Sequence, residues 1–167
     1  MKTIYIGFSK SNLIGSKLIS WFLNREYSHT YFKFQEPWYD DKTINQSTGH
    51  GIGYMAEHNF IKNNTIVKEY VLDISDELFL ELVNDCHKNA GVKYGYFQNL
   101  GIFVIDVLSK LKINIKRNPI NDGVNCSEWM YYILEEVYGK WTDKDPNLVT
   151  PADVEAFLQS KNLLVNK

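Results

Sequence analysis

The stretch Val124-Asn125-Cys126-Ser127-Glu128-Trp129 places a thiol on the first turn of a predicted helix. Asn125 is a favourable N-cap, and Glu128 occupies the third helical position, from which its carboxylate can reach back to the amide of the cap residue. Cys126 is then the first helical residue, among unpaired backbone N–H groups at the positive end of the helix dipole. This position favours the thiolate over the thiol, which makes Cys126 a candidate nucleophile.

The helix that begins at Cys126 has one apolar face. Met130, Ile133, Leu134 and Val137 recur at helical spacing. Cys126 precedes Met130 by four residues, so its sulfur shares this inward face and is directed at the rest of the fold.

Length and composition favour one domain over residues 1–167 and exclude several classes of protein. The net charge is −2, the pI is near 6.1 and no block of Lys and Arg is longer than a pair, so a nucleic-acid partner is not expected. The two cysteines form no secreted-type disulfide framework, and no apolar run reaches membrane-spanning length. The N-terminus is too polar for a signal peptide. We expect a cytoplasmic protein, although a virion component or a lysin exported by a holin would have the same composition.

Strand signals dominate the first half of the chain and predict an antiparallel sheet. Tyr27–Phe34 is rich in aromatic and β-branched residues, with His29 near its beginning. Gln35–His50 is polar, contains Pro37, and is predicted to be a long loop. The other predicted elements are a strand over Lys2–Gly7, a polar turn over Ser9–Ser11, a helix with the stripe Ile14, Leu18, Trp21 and Phe22, and strands over Gly51–Ala56 and Thr65–Ile74.

Helix signals dominate the second half. The second cysteine, Cys86, lies on the apolar stripe of a helix capped by Ser75 and is assigned to the core. Leu100–Leu111 is apolar enough to predict a well-buried helix. The remaining predictions are the end of the Ser75 helix at Gly91, a polar connector over Lys112–Gly123, the end of the cysteine helix at Gly139, and a last helix that starts at Thr150-Pro151-Ala152-Asp153.

A thiolate nucleophile needs a histidine as base or ion-pair partner and a third group to orient the imidazole. The chain has four histidines: His29, His50, His58 and His87. His29 is the best candidate, because a strand would hold its ring in a fixed geometry. His50 lies in or beside the long loop and His58 at the end of a strand, and either could contact a substrate.

These motifs, in this order, resemble the circularly permuted NlpC-like papain-fold hydrolases of the YiiX and YaeF type. The resemblance covers nearly the whole chain, and its most specific pieces are Ser28-His29 at the start of a strand and Cys126-Ser127-Glu128 at the start of a helix. It implies an α+β fold in which an antiparallel sheet packs against helices, with the histidine before the cysteine in sequence. It also implies that Cys126 is the nucleophile and His29 its base. The other matching segments are Gly7-Phe8-Ser9, Tyr54-Met55-Ala56, Gly91-Val92-Lys93-Tyr94-Gly95-Tyr96 and Thr150-Pro151-Ala152-Asp153.

One position departs from the pattern of these hydrolases. Members often carry Glu or another polar residue just before the Ala of the second strand as the third catalytic group, and here Met55 occupies that place. Methionine cannot orient an imidazole. Glu57 would lie on the same strand face if the strand continued, which makes it the candidate third group. His58 and His50 are the alternatives.

The activity implied is that of a cysteine amidase or peptidase, acting on peptidoglycan stem peptides, other peptides or acyl-amides through an acyl-enzyme. The backbone N–H at the helix start would help to hold the oxyanion, and Tyr31 or Tyr96 could line the cleft. No cofactor or metal is expected, because Asp40-Asp41 lacks ligand spacing.

Two other functions remain open at this stage. The first is a lipid acyltransferase of the lecithin:retinol acyltransferase type, although the sequence gives no evident exposed amphipathic anchor of the kind that such enzymes often need. The second is a non-catalytic binding or phage or host accessory protein that keeps the fold, because Met55 would leave the imidazole without its orienting group.

Overall fold

A computed structural model describes residues 1–11, 20, 24–36, 40–113 and 115–166 of the chain. An antiparallel sheet packs against helices, so the predicted α+β class is confirmed. The strands are β1 (Lys2–Ser11), β2 (His29–Phe34), β3 (Thr43–Thr48), β4 (Gly51–Ala56), β5 (Asn64–Ile74) and β6 (Leu164–Asn166). The helices are α1 (Glu57–Phe60), α2 (Asp76–Lys88), α3 (Tyr96–Lys110), α4 (Cys126–Tyr138) and α5 (Pro151–Ser160), with a 3-10 turn at Pro146–Leu148.

The six strands are ordered β4-β3-β2-β1-β5-β6, and every neighbouring pair is antiparallel. β1 lies between β2 and β5, and the β1–β2 register places Ile4 opposite Phe34 and Ser9 opposite His29. His29 is therefore at the first position of its strand, beside the C-terminal part of β1.

The main core lies between one face of the sheet and helices α2, α4 and α5. Because side chains alternate along a strand, the even-numbered residues of β1 and β2 share this face. Cys86 is fully buried in this core, as predicted, and burial raises the pKa of its thiol to about 12. The core includes Ile4, Ile6, Phe8, Phe32 and Phe34 from the sheet, and Phe79, Leu82, Met130, Ile133, Leu134, Val154 and Leu158 from the helices.

The opposite face of the sheet holds a hydrogen bond that passes over a glycine. Tyr31 on β2 is directly opposite Gly7 on β1, and Gly7 is directly opposite Glu69 on β5. Because Gly7 has no side chain, the Tyr31 ring crosses β1, and its hydroxyl donates to Glu69 Oε1 at 2.6 Å. The buried Lys33 donates to Glu69 Oε2 at 2.7 Å. The carboxylate of Glu69 therefore forms an ion pair with Lys33 in addition to its hydrogen bond with Tyr31.

Local signals placed most helix ends correctly. The Ser75 hydroxyl accepts from Leu78 N–H as the predicted cap, but α2 ends at Lys88 with Asn89 as its C-cap, before the predicted stop at Gly91. Gly139 ends α4 in a positive-φ conformation (73°), which suits a residue without Cβ. Thr150 and Asp153 form the expected capping box at the start of α5. Within the described residues, no helix is long and apolar enough to cross a bilayer.

Other predictions of secondary structure differ from the structure, and one falls outside it. Thr43–Thr48, inside the predicted loop Gln35–His50, is the strand β3. β1 continues to Ser11 through a register shift after Phe8, where a turn was predicted. α3 begins four residues before Leu100, and Leu100 itself is exposed. The predicted helix with the stripe Ile14, Leu18, Trp21 and Phe22 lies outside the described residues.

A methyl group at Gly7 would separate Tyr31 from Glu69. An ideal Cβ there would stand 2.1 Å from the Tyr31 ring. We expect Gly7→Ala to lower the free energy of unfolding by about 2–4 kcal/mol, because the ring must move and leave buried polar groups unpaired. Gly53→Ala in β4 is the matched control, since a Cβ at Gly53 would meet nothing within 4 Å. Urea unfolding of both variants measures the difference, and equal stabilities would contradict the role of Gly7.

Candidate active site

The first turn of α4 is held by its cap. Asn125 Oδ1 accepts from the N–H groups of Ser127 and Glu128, both at 2.9 Å. The Glu128 carboxylate accepts from Gln98 Nε2 at 2.6 Å. Burial raises the pKa of Glu128, against hydrogen bonds that include one from the Asn125 backbone amide, the contact expected of a capping box. The predicted cap is therefore present, and Cys126 is the first residue of the helix.

Strands β2 and β3 hold the backbone on both sides of the sulfur. Thr30 Oγ1 donates to the carbonyl oxygen of Cys126 at 3.0 Å, and Ser47 Oγ donates to that of Val124 at 2.5 Å. One turn further along α4, Trp129 Nε1 donates to Asn45 Oδ1 at 2.6 Å. These three hydrogen bonds fix the start of α4 against the sheet, so the sulfur has a defined position.

His29 and Cys126 form an interacting pair, although they come from opposite halves of the sequence. Burial alone raises the pKa of the Cys126 thiol, but the charge and hydrogen bond of His29, with hydrogen bonds from Thr30, lower it below its ordinary value of 9.0. Burial lowers the pKa of His29, but the charge and hydrogen bond of Cys126 and a hydrogen bond to Gln46 raise it above 6.5. Each group therefore favours the charged form of the other, which is the thiolate–imidazolium state.

Gln46 on β3 orients the imidazole. His29 Nε2 and Gln46 Oε1 are 2.8 Å apart, and since Oε1 only accepts, Nε2 carries the proton of this bond. The other ring nitrogen, Nδ1, is left to face the sulfur. Cys126, His29 and Gln46 thus form a series of thiol, imidazole and amide, in which each group interacts with the next.

Glu57 does not follow the sequence hypothesis. β4 ends at Ala56, and Glu57 is the first residue of α1, so the strand does not continue to it as that hypothesis required. Its carboxylate accepts from Lys33 Nζ at 2.7 Å. Met55 is partly exposed on β4 opposite Ile44.

The alternative third groups also have other positions. The His58 ring bonds to Asp41 through Nδ1 at 2.6 Å, and His50 is exposed in the turn between β3 and β4. Among the described residues, Gln46 is the side chain found in the place expected for the third group, against the imidazole of His29.

Tyr94 is a tyrosine for which the sequence predicted no role in the site. Burial raises the pKa of Tyr94, and the charge of Cys126 adds to this effect. Its hydroxyl accepts from Asn99 Nδ2 at 2.9 Å, which leaves the phenolic proton to be donated. Tyr96, predicted to line the cleft, packs edge-on against Tyr94 at 5.0 Å, whereas Tyr31 is buried beside Glu69.

In comparisons with known proteins, no protein-family model and no curated protein matches this chain.

The first prediction for this site concerns the pH dependence of alkylation at Cys126. Wild-type Cys126 reacts with iodoacetamide as pH rises through a thiol pKa below 9.0. His29→Ala removes the main lowering cause and leaves burial, so we expect the midpoint to move up and the rate at about pH 6 to fall about tenfold per unit of pKa. Peptide mapping by mass spectrometry measures each rate. Cys86 is the internal control, and a profile unchanged by His29→Ala would exclude the pair.

A second prediction separates orientation from simple packing at Gln46. Gln46→Ala removes an acceptor that raises the pKa of His29, so that pKa falls, whereas Gln46→Glu adds a negative charge and moves it up. NMR titration of the imidazole measures both shifts, with Gln35→Ala on the exposed segment after β2 as control. Shifts of the same sign in both Gln46 variants would contradict the assignment.

Proposed function

We propose that this protein is a cysteine amidase or peptidase with a circularly permuted papain-like (NlpC-like) fold. One observation carries the proposal: a cysteine with a lowered pKa begins a capped helix and contacts a histidine that is oriented by Gln46. A structural cysteine has no need of such partners, and Cys86 illustrates the contrast with its raised pKa.

Acylation begins with attack of the Cys126 thiolate on the carbonyl carbon of the substrate. The carbonyl electrons move to oxygen and give a tetrahedral oxyanion. His29, protonated in the resting pair, then gives a proton to the leaving amine as the C–N bond breaks. An amide nitrogen needs this proton to depart, so an imidazolium beside the thiolate favours amide substrates.

The oxyanion requires hydrogen-bond donors at the start of α4. The cap uses the N–H groups of Ser127 and Glu128, so the N–H of Cys126 is the first-turn donor that the cap leaves for the substrate. The Tyr94 hydroxyl, whose oxygen accepts from Asn99, is a candidate second donor. Both act together with the positive end of the helix dipole.

Deacylation uses the same residues, but His29 now accepts a proton where it previously donated one. After the amine leaves, His29 is neutral and accepts a proton from water, which attacks the thioester. Collapse of this second tetrahedral intermediate releases the carboxylic acid, and His29 returns to the imidazolium form beside the thiolate. Gln46 holds the ring through both steps without adding a charge of its own.

The proposed substrates are peptides, peptidoglycan stem peptides or acyl-amides. The rival hypothesis of a binding protein with a weakened triad depended on Met55 as the third group. The contact of Gln46 with His29 removes the reason for that hypothesis, since the imidazole has an orienting partner on the neighbouring strand.

The test is capture of the acyl-enzyme. Peptidyl anilides and soluble stem peptides are incubated with the protein, quenched in acid and examined by mass spectrometry. We expect an acyl adduct on Cys126 and release of amine, both reduced at least about a thousandfold in Cys126→Ala and in His29→Ala. Cys86→Ala is the matched cysteine control and retains turnover. Amine release that survives Cys126→Ala would refute the mechanism.

A further inference from the structure

Helix α3 buries polar groups beside the half-buried Ile102, Ile105 and Leu108, and it leaves larger apolar side chains exposed. Gln98 is fully buried and donates to Glu128, and Gly101 packs on the buried Asn118. By contrast, Phe97 and Leu100 are 65% and 56% exposed. Surface helices ordinarily have the reverse arrangement, with the apolar side inward.

The exposed apolar residues form one continuous surface, here called the α3 apolar face: Tyr96, Phe97, Leu100, Val104 and Leu111. At 100° per residue these five positions fall within an arc of about 100°. Single exposed apolar side chains are common, but a contiguous apolar face of this kind marks an interaction surface.

Exposed cations follow the α3 apolar face along the chain. Lys112, Lys116 and Arg117 all have exposed side chains, and Arg117 is 3.6 Å from Asp145 in an ion pair. Residues 96–122 contain four Lys or Arg and two Asp, a net charge of +2, whereas the whole chain carries −2 and the remainder therefore −4. The apolar face and the positive charge thus belong to one segment of an otherwise acidic protein.

We propose that the α3 apolar face docks on an anionic lipid surface. Aromatic and aliphatic side chains enter the boundary between headgroups and acyl chains, while Lys112 and Lys116 in the segment that follows α3 meet lipid phosphates. α3 lies flat on the membrane, because no described helix is long and apolar enough to span it. The carboxylates nearest to the face are engaged: Asp122 accepts from the N–H groups of Phe97 and Gln98, and Asp145 pairs with Arg117. The sequence alone does not reveal this anchor, because the exposed side of a helix is decided by tertiary packing.

The test uses the intact protein and vesicles of phosphatidylcholine, with or without an equal part of phosphatidylglycerol, in a co-sedimentation assay. We expect binding to the anionic vesicles that weakens with added salt. Phe97→Ser combined with Leu100→Ser lowers the partition coefficient at least about tenfold, while Leu80→Ser, on an equally exposed leucine of α2, leaves it unchanged.

Lys112→Gln combined with Lys116→Gln lowers binding to anionic vesicles about fivefold per lysine. Lys62→Gln combined with Lys88→Gln is the charge control. Circular dichroism verifies folding, and the salt dependence of the wild type tests the proposal without any substitution. Absence of wild-type binding at low salt would overturn it. So would sedimentation as a dimer that Phe97→Ser with Leu100→Ser dissociates, since the face would then contact a second copy of the chain. None of these measurements requires the protein to be an enzyme.

Discussion

Two hydrogen bonds from strands to the backbone of the nucleophile segment are the constraint on which the site depends. Thr30 on β2 and Ser47 on β3 donate to the carbonyls of Cys126 and Val124, so the start of α4 cannot shift along the sheet without breaking them. The same two strands carry His29 and Gln46. Cys126, His29 and Gln46 are therefore all positioned by one pair of strands, which lets a buried thiolate–imidazolium contact persist.

The parts of the fold that the sequence predicts are those governed by local physics. The cap at Asn125, the stop at Gly139 and the capping box of Thr150 and Asp153 each involve residues within one helical turn, so neighbouring side chains decide them. His29 was also located, because the aromatic and β-branched residues after it mark a strand regardless of tertiary context.

The parts that the sequence does not reveal depend on distant partners. β3 reads as a loop because Asn45 and Ser47 are polar, yet both are buried since they bond to Trp129 and to the Val124 carbonyl on another element. Because β3 was not predicted, Gln46 was not identified as a partner of His29. In the sequence, Gln46 is one polar residue in a short polar segment that contains the buried Ile44. Its position facing His29 can be recognised only when β3 is known to pair with β2. For the same reason the hydrophobicity of α3 predicted burial without indicating which side would be buried.

The glycine beneath Tyr31 also specifies the alignment of the strands. A slip of β1 by one residue would bring Ile6 or Phe8 opposite Tyr31, and either side chain would occupy the path of the ring to Glu69. Only one pairing lets the phenol pass and lets Lys33 keep its buried counterion, so alternative registers are penalised before the core is considered. His29 lies two positions before Tyr31 on the same strand. The absence of a side chain at Gly7 therefore selects the correct register of β1 and β2, and this register in turn determines the position of the His29 imidazole.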